Sequence, residues 1–164
     1  MQTSKLRHLR RVFDIVAFSV AALLTIMARP ACADGERVIA VPELRALTPE
    51  AKEDATRLPI ALRARFQALP SLRVVEEPVP MASPDRPDIL LPAFGQLRDR
   101  RLDIVLVGNA TVLSDGRHKV TLWIWNVEKQ TQLLGQQYVF GAHPGHEQEI
   151  ADLVGERLLD ALKD

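Results

Sequence analysis

Cysteine is almost absent from this chain of 164 residues, which holds only Cys32. Cys32 precedes the signal-peptide cleavage site that we expect after Ala33, so the mature chain would have none. Without cysteine the mature protein can form no disulfide, no thiol nucleophile and no thiolate metal site. Its stability must therefore come from packing, and about 131 residues suffice to bury roughly two thirds of the surface that the unfolded chain exposes.

The amino terminus lacks an apolar run long enough to cross a bilayer. Residues 15–28 are apolar, but they number about 14, and roughly 20 are needed. Basic residues precede this run and Ala31-Cys32-Ala33 follows it, which is the order of a secretory signal peptide. We expect residues 1–33 to be a signal peptide cleaved after Ala33, and residues 34–164 to be a periplasmic domain without stable membrane insertion. An uncleaved membrane anchor is the alternative.

The chain has no excess of charge of either sign, with 21 basic and 21 acidic residues. Cleavage would remove five of the basic residues and one of the acidic ones, leaving 16 against 20 and a net charge of −4. A mildly negative protein has no overall attraction for nucleic acid or anionic lipid. We therefore expect no nucleic-acid partner.

The first half of the mature chain predicts two short strands, 37–41 and 72–75, which are brief apolar runs. A helix between them is expected over 58–68, after a separate turn near 49–56. The division is expected at Pro59, which lacks an amide hydrogen and whose ring clashes with the preceding helical turn. The residues expected on the buried face of this helix recur at helical spacing: Leu58, Leu62, Phe66 and Leu69.

Five prolines between positions 78 and 92 predict a surface connection, because a central strand or long helix would not tolerate them. A second helix is expected at its end, over about 89–100. The residues expected on the buried side of this helix are Ile89, Leu90, Phe94 and Leu97.

The last sixty residues have the clearest strand pattern. Residues 103–108 are apolar on both faces, as in a covered central strand, and Asp115-Gly116 predicts a hairpin with positive φ at both positions. Strands over 118–127 and 133–140 follow, and then a helix over 146–163. The residues expected on the buried stripe of that helix are Ile150, Leu153, Val154, Leu158 and Leu159. The element order βαβαβββα predicts a single α/β domain with a mixed sheet.

No group of residues has the spacing of a catalytic or ligand-binding site. His143 and His146 lie in a proline-glycine turn without a third ligand, so no metal site is expected, and His118 is expected on the surface. No pair of carboxylates is placed for general acid–base catalysis. Gly108 and Gly135 lie inside strands and indicate close backbone packing. We therefore expect no catalytic residue, no cofactor and no enzyme activity.

Trp123 and Trp125 lie two residues apart and should share one face of the 118–127 strand. Two interpretations stay open. In the first, both rings belong to the core and the final helix covers them. In the second, they form a partner-binding patch with Thr121 and Val139, since tryptophan is enriched at binding hot spots.

An ordered series of segments resembles the amino-terminal domain of TolB, the periplasmic component of the Tol-Pal envelope system. The resemblance is strongest over about 102–160 and looser over 37–101. The segments that carry it are 102–108, Asp115-Gly116, 122–127, 134–138, 150–152 and 156–158. It implies a five-stranded mixed sheet packed with helices, in a domain that acts through protein contacts and performs no chemistry.

The sequence departs from this family in two ways. The family protein continues into a β-propeller that docks on the lipoprotein Pal, whereas this sequence ends at Asp164. It also has an amino-terminal extension that engages TolA, whereas the expected mature chain reaches its first strand within about four residues. The resemblance is thus to a stand-alone relative lacking the β-propeller. We expect a non-catalytic periplasmic protein-interaction module that binds envelope proteins. A periplasmic carrier that holds a small ligand between helix and sheet is the alternative.

Overall fold

The computed structural model describes residues 36–83, 90–141 and 143–163. The strands among them are β1 (Arg37–Ala40), β2 (Arg45–Ala46), β3 (Leu72–Val75), β4 (Ile104–Val112), β5 (His118–Asn126) and β6 (Thr131–Phe140). The α-helices are α1 (Lys52–Gln67), α2 (Phe94–Asp99) and α3 (His146–Ala161), and a 3-10 turn (Pro49–Ala51) leads into α1. The expected signal peptide with its cleavage site, and Ile89 of the expected second helix, lie outside the described residues.

The strands form one mixed sheet in the order β3-β1-β4-β5-β6. β1 runs parallel to β3 and β4, and β4, β5 and β6 form an antiparallel meander. The short β2 pairs with β4 beyond the end of β1. The predicted α/β fold with a mixed sheet of five main strands is therefore confirmed. β2 was not predicted, because two residues give no periodic signal.

The core has two layers, one on each face of the sheet. α1 and α3 pack on the first face, which we call the helix face, and α2 packs on the other. The predicted inward residues of α1 are all buried, as is the alternating set Val120, Leu122 and Ile124 on the helix face of β5. Residues 104–108 of β4 are buried throughout, as expected for a central strand.

The predicted break at Pro59 is wrong, because α1 runs unbroken through it. A proline inside a helix leaves the carbonyl four residues earlier without its helical donor, which here is the carbonyl of Ala55. The backbone N–H of Leu44 donates to that oxygen at 3.0 Å. The hydrogen bond that Pro59 removes is thus replaced by one from outside the helix.

The second helix is shorter than predicted, because the residues before Phe94 are extended. Their backbone pairs with residues 80–82: the N–H of Ala82 donates to Leu91 and the N–H of Ala93 donates to Pro80, both at 2.8 Å. The burial of Leu97 is confirmed.

The predicted burial of Leu153 in α3 is wrong, since its side chain is 47% exposed. The buried stripe is instead completed by two small residues, Ala151 and Gly155. Small residues allow the helix to approach α1 closely, and a hydrophobicity pattern gives them little weight.

The predicted hairpin is present, but only Gly116 has a positive φ, at 80°. The N–H of Gly116 donates to Leu113 at 2.9 Å, and the N–H of Leu113 donates to Arg117 at 2.7 Å. This is a three-residue loop in which a type I turn precedes a left-handed glycine, so the prediction of positive φ at Asp115 was wrong. The N–H of Arg117 donates to the Asp115 carboxylate and lowers its pKa.

Candidate functional site

Among the residues that the structure describes, no helix covers part of the sheet on the side opposite α1 and α3. We call the β4–β6 part of this side the open face; strand register assigns it eight residues. These are Asn109, Thr111, Lys119, Thr121, Trp123, Gly135, Gln137 and Val139. Helix α2 covers the β1 and β4 part of the same side and also contacts Trp125 of β5, with Leu97 packed near Val105 and Val107. The side chain of Val139 is 42% exposed, and Thr121 and Trp123 are half-buried.

Both tryptophans are half-buried and pack against the core cluster on this side of the sheet, but their neighbours differ. Trp125 packs against Phe94 of α2, with ring centroids 5.7 Å apart and planes at 66°, an edge-to-face contact. Trp123 lies two residues before Trp125 in β5 and is paired with Gly135 of β6, which its ring borders. The final helix covers neither ring, because α3 packs on the other face of the sheet. The first interpretation therefore named the wrong helix.

Three of the four predicted partner-binding residues lie close together on the open face. Thr121 is opposite Gln137, and Val139 is opposite Lys119, the next residue on the same face of β5. Trp123 continues this row toward α2. Trp125 lies on the same side of the sheet but packs against Phe94 of α2, so it lies beside the open face and not within it.

The sequence did not predict a cluster around Asp54, a buried residue of α1 that is 5% exposed. His118 Nδ1 lies 2.5 Å from Asp54 Oδ2, and His146 Nε2 lies 3.5 Å from Oδ1. Phe140 stacks on both imidazoles, with ring centroids 5.7 Å from His118 and 4.5 Å from His146. The prediction that His118 is a surface residue was wrong.

This cluster joins α1, the β4–β5 hairpin and the start of α3. His146 Nδ1 lies 2.6 Å from the carbonyl of His143, so both ring nitrogens of His146 face groups of the protein. Among the described residues, no three His, Cys, Asp or Glu side chains are placed to hold a metal ion. Asp54 and His118 are 64 residues apart in the sequence, so no local pattern joins them. The one sequence signal for the cluster is Asp54 itself, an acidic residue among the buried positions of α1.

A crevice of about 520 Å³ opens at the carboxyl ends of β1 and β3. The chain leaves β1 for α1 on one face of the sheet and leaves β3 for α2 on the other, and ligands bind preferentially at such switch points in α/β sheets. Its apolar lining residues are Pro42, Pro78, Val79, Met81, Leu90 and Val107, and its charged ones are Glu43, Arg45, Glu76 and Glu77.

On the helix face of β6, the hydroxyl of Tyr138 is buried and has no hydrogen-bond partner among the described residues. Burial raises the pKa of Tyr138 above its usual value, which favours the neutral phenol. No helix among residues 36–83, 90–141 and 143–163 has the length and apolar character needed to span a membrane.

The described residues form a small α/β domain whose mixed sheet is covered by two helices on one face and by one short helix on part of the other. Solved structures with a similar fold include the following two. TolB from Acinetobacter baumannii matches with a TM-score of 0.55 and 15% identity, over 79% of this chain and 29% of that chain. The hypothetical protein CT253 from Chlamydia trachomatis matches with a TM-score of 0.52 and 8% identity, over 76% of this chain and 99% of that chain.

These similarities support the TolB-like fold that the sequence resemblance implies. This chain spans 29% of the length of the TolB chain that it matches. No protein-family model matches the sequence, and no curated protein matches it.

Proposed function

We propose that this chain is a non-catalytic protein-interaction module of the bacterial envelope, located in the periplasm, and that the open face is its binding surface. The observation that carries the proposal is the incomplete covering of the sheet. Among the described residues, α1 and α3 pack on the helix face, and α2 is only six residues long. On the opposite side α2 contacts Trp125 of β5, and among the described residues the part formed by Lys119, Thr121 and β6 is left without a helix.

The composition of the open face fits a protein partner. Trp123 and Val139 offer apolar area, and Thr121, Gln137 and Lys119 surround them with groups that can form hydrogen bonds. An apolar centre with a polar rim is the usual arrangement of a protein–protein interface. Tryptophan is favoured there because its large rigid ring is buried at little cost in entropy.

The envelope location rests on two independent features. The first is the signal-peptide pattern of residues 1–33, and the second is the resemblance to the amino-terminal domain of TolB, which the fold supports. The partner in this proposal is an envelope protein, and neither cofactor nor catalysis is involved.

The Trp123→Thr variant is expected to lose the partner while it keeps its fold. Removal of an interface tryptophan costs about 2 kcal/mol or more of binding free energy, which is roughly a thirtyfold weaker complex. The measurement is retention of proteins from envelope extract by the immobilised protein, followed by titration of the retained protein. Thermal unfolding shows whether the variant is folded.

Ile60→Thr is the matched control, because Ile60 is 54% exposed on α1, on the covered side of the sheet. It removes an exposed apolar side chain in the same way and should leave retention unchanged. If the Trp123→Thr protein is folded and retains the same partner with the same affinity as the unmodified protein, the open face is not the binding surface.

A second function, a small-ligand carrier, is favoured by the crevice at the ends of β1 and β3. Its volume of about 520 Å³ lies within the usual range for small-molecule sites. A carrier should unfold at a higher temperature in the presence of the low-molecular-weight fraction of envelope extract, because ligand binding stabilises the native state. The Met81→Trp variant, which places a larger side chain in the crevice, should lose this gain. No gain in the unmodified protein would exclude a carrier of any ligand in that fraction.

A further inference from the structure

β6 ends the sheet, and no strand among the described residues pairs with its outer edge. Its ten residues, TQLLGQQYVF, contain no charged residue and no proline. Natural proteins usually protect a long edge strand with charges, prolines or bulges, because its free N–H and C=O groups can pair with another strand. The one register shift lies near Leu133, which leaves 134–140 as a regular, unprotected stretch.

Exposed apolar side chains flank this edge on both faces of the sheet. Val139 lies on the open face and is 42% exposed, and Leu153 of α3 is 47% exposed. α3 lies over β6, since His146 stacks on Phe140 with ring centroids 4.5 Å apart. Leu153 follows His146 by seven residues, two helical turns, and so lies on the same side of α3. An edge flanked in this way is suited to contact with another protein surface.

We propose that β6 pairs in antiparallel orientation with β6 of a second copy of this chain, joining the two sheets into one. The inference goes beyond the proposed function, because it requires no other protein. Symmetry favours a second copy as the occupant. In such a pair the two-fold axis is perpendicular to the sheet, so each open face stays on the same side and the axial residue lies opposite its own copy.

Gln137 is the middle residue of the regular stretch 134–140, and it therefore lies at the axis. An amide group has both a donor and an acceptor, so a glutamine can form hydrogen bonds with its own copy. A charged residue at this position would instead repel its copy. The same register places Val139 opposite Gly135 of the second copy on the open face.

On the helix face the paired residues of the strand themselves carry no charge. It places Tyr138 opposite Gln136 of the second copy and Phe140 opposite Leu134 of the second copy. Apolar and uncharged polar side chains of the two strands thus meet along the whole regular stretch. The two Leu153 side chains lie on the helix face, near the line where the two sheets join. In this register the strand is complementary to its own copy. Binding of a segment from another protein would not require such self-complementarity, so this property favours a second copy of the chain.

The experiment compares dimer dissociation constants, measured by sedimentation equilibrium, for the unmodified protein and for the Gln137→Lys and Gln137→Glu variants. Each variant alone should dimerise up to about fivefold more weakly, because two like charges lie directly opposite at the axis. An equimolar mixture of the two variants should dimerise at least as tightly as the unmodified protein. The Gln96→Lys variant, with the same substitution on the exposed surface of α2, should leave the dissociation constant unchanged.

Circular dichroism establishes that each variant is folded, and recovery of the dimer in the mixture is itself evidence of intact folds. An unmodified protein that stays monomeric at millimolar concentration overturns the proposal. So does a mixture that dimerises no more tightly than each variant alone. Dimerisation that persists in Trp123→Thr while partner retention is lost would show that the two surfaces act separately.

Discussion

Replacement of Gly108 by alanine is expected to destabilise the fold by about 3 kcal/mol, which is the upper part of the range for overpacking a well-packed core. Gly108 lies in the middle of β4, opposite Leu122 of β5. A Cβ atom there would lie 2.6 Å from the backbone oxygen of Thr121 and 2.8 Å from Cδ2 of Leu122. A side chain can rotate away from such a contact, but the Thr121 oxygen belongs to the paired strand and can move only if β4 and β5 separate.

The measurement is the free energy of unfolding from urea denaturation. Gly95→Ala is the matched control, because no heavy atom lies within 4 Å of a Cβ at Gly95. That variant should be as stable as the unmodified protein or up to about 1 kcal/mol more stable, since alanine is favoured over glycine within a helix. A loss below about 1 kcal/mol in Gly108→Ala would show that the two strands yield easily at this point.

Gly108 also illustrates what a sequence pattern can indicate. A glycine within an otherwise apolar strand predicts close packing, and the structure confirms this. The inward faces of α1 and β5 were equally predictable, because helical and alternating periodicity are local properties of the chain. The identity of the group that meets Gly108, an oxygen of the next strand, is a tertiary property and has no local signal.

The wrong predictions have the same physical cause. Pro59 was expected to divide the 58–68 helix from the turn before it because its effect on the helical hydrogen bond is local, whereas the compensating donor, Leu44, lies outside the helix. The tryptophans were correctly placed on one face of β5, but whether they are covered depends on where α2 packs. The hydrophobic pattern of α2 gave no direction for that packing.

The Asp54→Ala variant is expected to lose about 2–3 kcal/mol of unfolding free energy, the usual cost of removing a hydrogen bond to a charged group whose partner is partly buried. The carboxylate lies 2.5 Å from Nδ1 of His118, whose side chain is 21% exposed. Asp54→Ala therefore leaves a half-buried imidazole nitrogen without its partner. It also removes the group that faces Nε2 of His146, which has no other partner among the described residues.

Asp160→Ala provides the matched control, because it too removes an aspartate from a helix and gains the same helical propensity. Asp160 is 75% exposed and pairs with Lys163 on the surface, and such pairs contribute about 0–1 kcal/mol. Urea denaturation should separate the two variants clearly. Equal losses would mean that the carboxylate of Asp54 contributes no more than a surface charge does.

A double-mutant cycle with His118→Ala can then assign the role of the cluster. Residues that share a hydrogen bond are expected to couple by about 1–2 kcal/mol, so the loss from Asp54→Ala should be smaller once His118 has been removed.

Asp54 links α1 to the hairpin that leads into β5, while the helix face and the open face are on opposite sides of that strand. A folded Asp54→Ala protein should therefore retain the same partner as the unmodified protein, because the cluster fixes the hairpin from the helix face and does not contribute to the open face. Loss of the partner in a folded Asp54→Ala variant would contradict this division and would place the histidine cluster within the binding surface.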